Sequence, residues 1–123
     1  MPYIASGKFT DETEVIGNGQ CVTLVKKLTG APPSSLWREG EKVMNLLSSG
    51  KPIARGTAIA TFINGRYPNL PSGNHAAVFI RSVAGGIEIF DQWKKQKPAK
   101  RILSFGRPAA AGVNRPELYS IVK

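Results

Sequence analysis

The segment HAAVFIRSVAGGIEIFDQW, residues 75–93, constrains this chain's fold more than any other. Two apolar runs rich in Val, Ile and Phe flank Ala84-Gly85-Gly86, the pattern of two strands joined as a hairpin. Other stretches read as partners for it. GTAIATF, continued by Ile63, is β-like and runs into Asn64-Gly65, a turn signal. RILSF and LYSIV read as two further strands, and YPNLPSGN as a loop.

The first half of the chain has a different period. Residues 1–19 read as an irregular lead-in. Cys21, Leu24, Val25 and Leu28 fall at i, i+3, i+4 and i+7, which predicts a helix from about Gly19 to Leu28. Asn18 or Gly19 is placed to cap it, Lys26 and Lys27 suit its negative end, and Gly30 followed by Pro32-Pro33 stops it. A second helix is expected in SSLWREGEKVMNLLSSG, where Trp37, Gly40, Val43, Met44 and Leu47 roughly keep a helical spacing. Helices first and an antiparallel meander after them predict an α+β fold.

At 123 residues the chain is expected to form one domain, 1–123. No apolar run reaches the ~18 residues of a membrane span. MPYIASGKFTDETEVIG has neither a basic n-region nor a continuous apolar h-region, so no cleaved secretory signal is expected. The net charge of +9, from 17 Lys+Arg against 8 Asp+Glu, favours an anionic partner: nucleic acid, a membrane surface or an acidic polymer such as a cell wall. The basic residues are dispersed, and no RNP-like, zinc-finger or Gly-x-Gly-x-x-Gly pattern accompanies them, which argues against nucleic acid. One Cys and one His fall short of a structural zinc site, and no ligand-like spacing supports a mixed one, so no metal site is expected.

That single cysteine has two readings. Cys21 shares a helix face with Leu24, Val25 and Leu28, and free cysteine is often buried as a small hydrophobe. It also lies in the first helical turn, where unpaired N–H groups and the helix dipole favour the thiolate. Gly17 and Gly19 let the backbone turn sharply just before it. The only histidine, His75, stands where a loop becomes an apolar strand, and a thiol with an imidazole is the minimum for nucleophile and base. The hairpin returns Asp91 toward His75, where an acid fixes the tautomer of an imidazole. The two share a face only if the connecting loop has an odd number of residues. Gln92 is an alternative for the same role.

These residues resemble a family. GNGQCVTLVK is similar to the Gly-x-Cys helix start of the CHAP amidases, and GNHAAVFIRSVAGGIEIFDQW to their His-strand-turn-strand-acid segment. The order Cys, His, acid also resembles the wider NlpC-like and papain-like peptidoglycan peptidases. Small size, the expected lack of a signal peptide and GTAIATFINGRYPN resemble the amidase toxins delivered by type VI secretion, in particular groups that cut peptide crosslinks.

The resemblance implies a papain-like core, with the Cys helix packed on an antiparallel sheet of about five strands. It implies Cys21 as nucleophile and His75 as base, in a mechanism that needs no metal or organic cofactor. Asp91 stands where CHAP enzymes usually carry Glu, and the Asn that follows in the family falls near Trp93, so that part of the pattern is absent. Gln20 is a candidate for holding the oxyanion, and Trp37, Arg66, Tyr67 and Trp93 for lining a substrate groove. The partners implied are peptidoglycan, an immunity protein and a component of the secretion apparatus, with action in the periplasm of a target bacterium. The rival readings are a non-catalytic, basic wall-binding module and a nucleic-acid binder.

Overall fold

The computed structural model describes residues 2–70, 73–106 and 112–123. Its regular elements are α1 (Cys21–Thr29), β1 (Glu39–Lys42), α2 (Val43–Ser48), β2 (Ala58–Thr61), β3 (Ala76–Val83), β4 (Gly86–Trp93), β5 (Gln96–Ser104) and β6 (Tyr119–Val122), with short 3-10 turns between some of them. Among the described residues the strands form one sheet in the order β1-β6-β2-β3-β4-β5, with every neighbouring pair antiparallel. The fold is α+β, as expected, with six strands rather than about five. Positions 71 and 72 of the YPNLPSGN loop lie outside the described residues.

The two faces of the sheet carry separate cores, which is why its central strands read as unbroken apolar runs. On one face Ala58, Ala60, Ala76, Val78, Ile80 and Phe90 pack under α1, through Leu24 and Val25, and against Phe9, Trp37 and Tyr67. On the other, Ile59, Ala77, Phe79, Ile87, Ile89 and Leu103 meet Val43 of α2 and Tyr119. β2 and the first half of β3 are buried on both sides. Successive strand residues point to opposite faces, so each core takes every second one.

α1 forms as its spacing predicts. Leu24 and Val25 are fully buried, and Gly30 closes the helix in the left-handed conformation, with its N–H on Lys26 O. Its start differs from expectation: the capping position is Gln20, whose side chain makes no cap bond.

The second helix is shorter than expected and displaced. Only Val43–Ser48 is α-helical, with a 3-10 turn at Ser34–Leu36; Trp37 precedes a four-residue strand that contains Gly40. A tertiary contact overrides the helical spacing here. Glu39–Lys42 adds to the edge of β6, with Glu39 opposite Val122, and the Glu39 carboxylate accepts the Ser120 hydroxyl at 2.6 Å. At Gly40 a Cβ would lie 2.8 Å from Ile121 O, so the close pairing depends on its absence. β5 is also longer than RILSF and includes Pro98; it is an edge strand, where proline's missing N–H is tolerated.

The hairpin that matters most is closed by a two-residue loop, Ala84-Gly85, between paired Val83 and Gly86. An even loop would set His75 and Asp91 on opposite faces. The structure recovers the odd count elsewhere: Phe79 pairs with Ile89 and Arg81 with Glu88, leaving Ile80 as a bulge. Beyond it Val78 lies opposite Phe90, and one further step sets Ala77 across from Asp91. His75, two residues before Ala77, is therefore in phase with Asp91.

Candidate active site

The turn from Ile16 to Gln20 presents Cys21. Gly19 N–H closes it onto Ile16 O at 3.2 Å, with Gly17 at φ 59° and Gly19 at φ 85°, values that L side chains rarely adopt. Asn18 Oδ1 accepts the Gln20 N–H at 3.1 Å and the Thr23 hydroxyl at 2.7 Å. Gln92, fully buried on β4, ties this turn to the sheet. Its Oε1 accepts Ile16 N–H at 3.0 Å, and its Nε2 donates to Ile16 O at 2.8 Å and Gln20 O at 2.9 Å. Gln92, weighed as an alternative orienter of the imidazole, instead positions the turn that carries the thiol.

His75 stands one residue before β3, at the margin where the two faces of the sheet meet. Its Nε2 lies 2.7 Å from Asp91 Oδ2. Asp91 is fully buried, so its charge needs partners, and Arg101 of β5 supplies them. Nε of Arg101 is 3.1 Å from each carboxylate oxygen and Nη2 is 2.7 Å from Oδ2, while Nη1 donates to Asn114 Oδ1 at 3.0 Å. The guanidinium also lies 4.9 Å from the Trp93 ring centre, and that ring meets His75 edge-on at 6.3 Å. Arg101 carried no sequence signal as a site residue. Only the strand register, Ile89 opposite Arg101, sets it beside Asp91.

An open cleft of about 590 Å³ lies at this margin, lined by Gln20, Cys21, Tyr67, Asn74, His75, Trp93 and others. Cys21 is half-buried at its wall. Burial works against its thiolate, but His75, the Ala76 backbone and Tyr67 outweigh it and hold the thiol below its usual value. Burial likewise opposes the imidazolium, yet the Asp91 hydrogen bond and the nearby sulfur lift His75 to about 9. Asp91 is pushed up by burial and pulled further down by His75 and Arg101, so it stays ionised. Both shifts favour a thiolate facing an imidazolium.

The structure therefore brings Cys21 and His75 to one cleft, with Gln20, Tyr67 and Trp93 on its walls, and sets Asp91 behind the imidazole, fully buried. Two expected groove residues are corrected. Trp37 is fully buried beneath the cleft, with its indole N–H on Pro32 O at 2.8 Å and Tyr67 edge-on against it at 5.2 Å. Arg66 is exposed on the Asn64-Gly65 hairpin, reaches Ser35 O at 3.4 Å and does not line the cleft. In both cases the side chain's direction follows from packing that residue type does not reveal.

A helix that starts at a cysteine, laid on an antiparallel sheet whose margin carries a histidine and a buried acid, defines the papain-like class. The chain belongs to the family described as Domesticated amidase effector 2, whose model matches residues 5–121. It is 44% identical to the Type VI secretion amidase effector 2 protein of Salmonella typhi over 104 residues, which is 83% of this chain and 75% of that protein. It is 30% identical to the Domesticated amidase effector 2 of Ixodes scapularis over 105 residues, 83% of this chain and 70% of that one. The solved structure of Type 6 secretion amidase effector 2 (Tae2) superposes with a TM-score of 0.79 at 36% identity, covering 97% of this chain and 93% of that chain.

Proposed function

We propose that this chain is a cysteine amidase that hydrolyses a peptide bond in the stem or crosslink of bacterial peptidoglycan and acts as an interbacterial toxin of type VI secretion. The observation that carries the reading is the set Cys21, His75 and Asp91: the thiol and the imidazole line an open cleft, Asp91 lies buried against the ring, and Gln92 and Arg101 tie these parts to the sheet. Membership of a family of amidase effectors supports the reaction class and the delivery route.

In this mechanism the Asp91 carboxylate accepts a hydrogen bond from His75 Nε2–H, staying ionised, and so leaves Nδ1 to exchange a proton with the thiol. The Cys21 thiolate attacks the amide carbonyl. The Cys21 N–H, at the first helical position, and the Gln20 side chain on the cleft wall stabilise the oxyanion, each such donor contributing about 3–4 kcal/mol. The His75 imidazolium protonates the leaving amine, and neutral His75 then activates water to release the acyl group from sulfur. Tyr67 and Trp93 line the groove that receives the peptide. The excess positive charge concentrates the protein on the acidic wall, an effect that fades with added salt. An immunity protein that covers the cleft and a secretion component that carries the chain to a target periplasm are the partners this function requires.

The test is digestion of purified peptidoglycan with the wild type and with Cys21→Ser, the released fragments being mapped by mass spectrometry. Stem or crosslink cleavage by the wild type alone is expected. Equal activity of Cys21→Ser, or wall binding without cleavage by either, overturns the reading.

A further inference from the structure

Tyr67 lies between the two halves of the site and touches the sulfur. Its hydroxyl is 3.8 Å from Cys21 Sγ and 3.4 Å from Asn74 Nδ2. The direction of its proton follows from the Asn74 amide. Asn74 Oδ1 accepts the Leu70 N–H, so the amide presents Nδ2 to Tyr67 and can only donate there. The phenol oxygen thus acts as acceptor toward Asn74, and its own proton is left for the sulfur. The ring cannot turn away, since it is 5% exposed and set edge-on against buried Trp37. Burial and the nearby thiolate both hold the phenol in its protonated form, so the donor is present throughout the working pH range.

We propose that Tyr67 is a catalytic residue of this centre, donating its hydroxyl proton in a hydrogen bond to the Cys21 thiolate, with Asn74 as the residue that aims it. The inference rests on Cys21 being the nucleophile. The thiolate is both the attacking group and the group that departs when the acyl-enzyme is hydrolysed, so a donor fixed on it favours the charged form before attack and at release. It makes no new covalent bond and needs no co-reactant. The groups that set the charge on this sulfur are His75, Tyr67 and the Ala76 backbone; the other charged groups nearby are Lys94 on the cleft wall and Asp91 with Arg101 behind the imidazole.

The test is Tyr67→Phe, which keeps the ring and its packing and removes only the hydroxyl. Thiolate is titrated by its ultraviolet absorbance and by the pH dependence of alkylation with iodoacetamide. The expected result is a rise of about one to two pH units in the thiol midpoint, the size of one hydrogen bond to a charged group. Peptidoglycan cleavage should fall about tenfold near neutral pH and recover toward wild type as pH rises. Asn74→Ala should shift the midpoint in the same direction by less. A Tyr67→Phe protein that melts like the wild type and titrates like it overturns the proposal. Activity that persists in Cys21→Ser would instead remove the thiol mechanism itself, an outcome read independently of Tyr67.

Discussion

The guanidinium of Arg101 holds both carboxylate oxygens of Asp91, and Oδ2 is also the atom that His75 Nε2 reaches at 2.7 Å. The acid that orients the imidazole is thus itself oriented from the neighbouring strand. A planar two-point grip fixes the carboxylate plane in a way that a single ammonium cannot.

Arg101→Ala leaves a buried carboxylate facing only the imidazole. Stability should fall by about 2–3 kcal/mol, less than a fully enclosed pair loses because the guanidinium side chain is a quarter exposed. Asp91 titrates below its ordinary value in the folded chain, so its contribution is present above that ordinary value and lost as pH falls through the folded one. With less depression in the variant, acid unfolding should begin at higher pH. Cleavage should drop about tenfold, and Arg101→Lys should recover only part of it. Urea unfolding across acid pH and fragment release measure the two effects.

The protonation of the pair predicts a bell-shaped rate profile. Cleavage should be high between the lowered thiol value and about 9, where sulfur is charged and His75 carries the proton for the leaving amine. Above about 9 the imidazolium is lost, and below the thiol value the Cys21 sulfur is protonated. In Cys21→Ser the sulfur's support for the charged ring is gone, so the His75 midpoint should move down from about 9. A proton NMR titration of the only histidine in the chain reads this directly.

Gln92→Ala should loosen the thiol without touching it. Three hydrogen bonds to the Ile16–Gln20 turn disappear, at about 1 kcal/mol each, and buried groups of the turn lose partners. A loss of about 2–4 kcal/mol by urea denaturation is expected, with cleavage falling more than alkylation by a small thiol reagent. Equal losses in both would show that the turn is held by something else.

The turn itself can be probed at Gly17. A Cβ there would clash with Thr23 Cγ2, on a backbone at φ 59°, and Thr23 is held by its bond to Asn18. Gly17→Ala should cost about 1–2 kcal/mol from the left-handed backbone and more from the clash. Thr23→Ser removes the methyl and keeps the hydroxyl, so Gly17→Ala should cost less in that background. A double-mutant cycle of unfolding free energies isolates the contact.

The elements that sequence makes legible are those governed by neighbours along the chain. The i, i+3, i+4, i+7 spacing after Gly19 produces α1 with Leu24 and Val25 inward, and the apolar runs around Gly85 produce β3 and β4. The position of Cys21 at a helix start and of His75 just before a strand follow from the same local patterns. The segment at Trp37–Lys42 was not legible, because its strand forms only where β6 offers an edge.

The amino-acid sequence by itself determined an α+β chain with one thiol and one imidazole, each at the boundary of a regular element, and a nearby acid. Their relation was decided by the tertiary structure. A single extra residue at Ile80 brings Asp91 into phase with His75, and the same register carries Arg101 to its carboxylate, while Gln92 reaches across to Ile16. Periodicity is a property of a few consecutive residues, whereas a bulge is stabilised by two strands and the cores on both their faces. The side chains that hold the site therefore become readable only once those strands are paired.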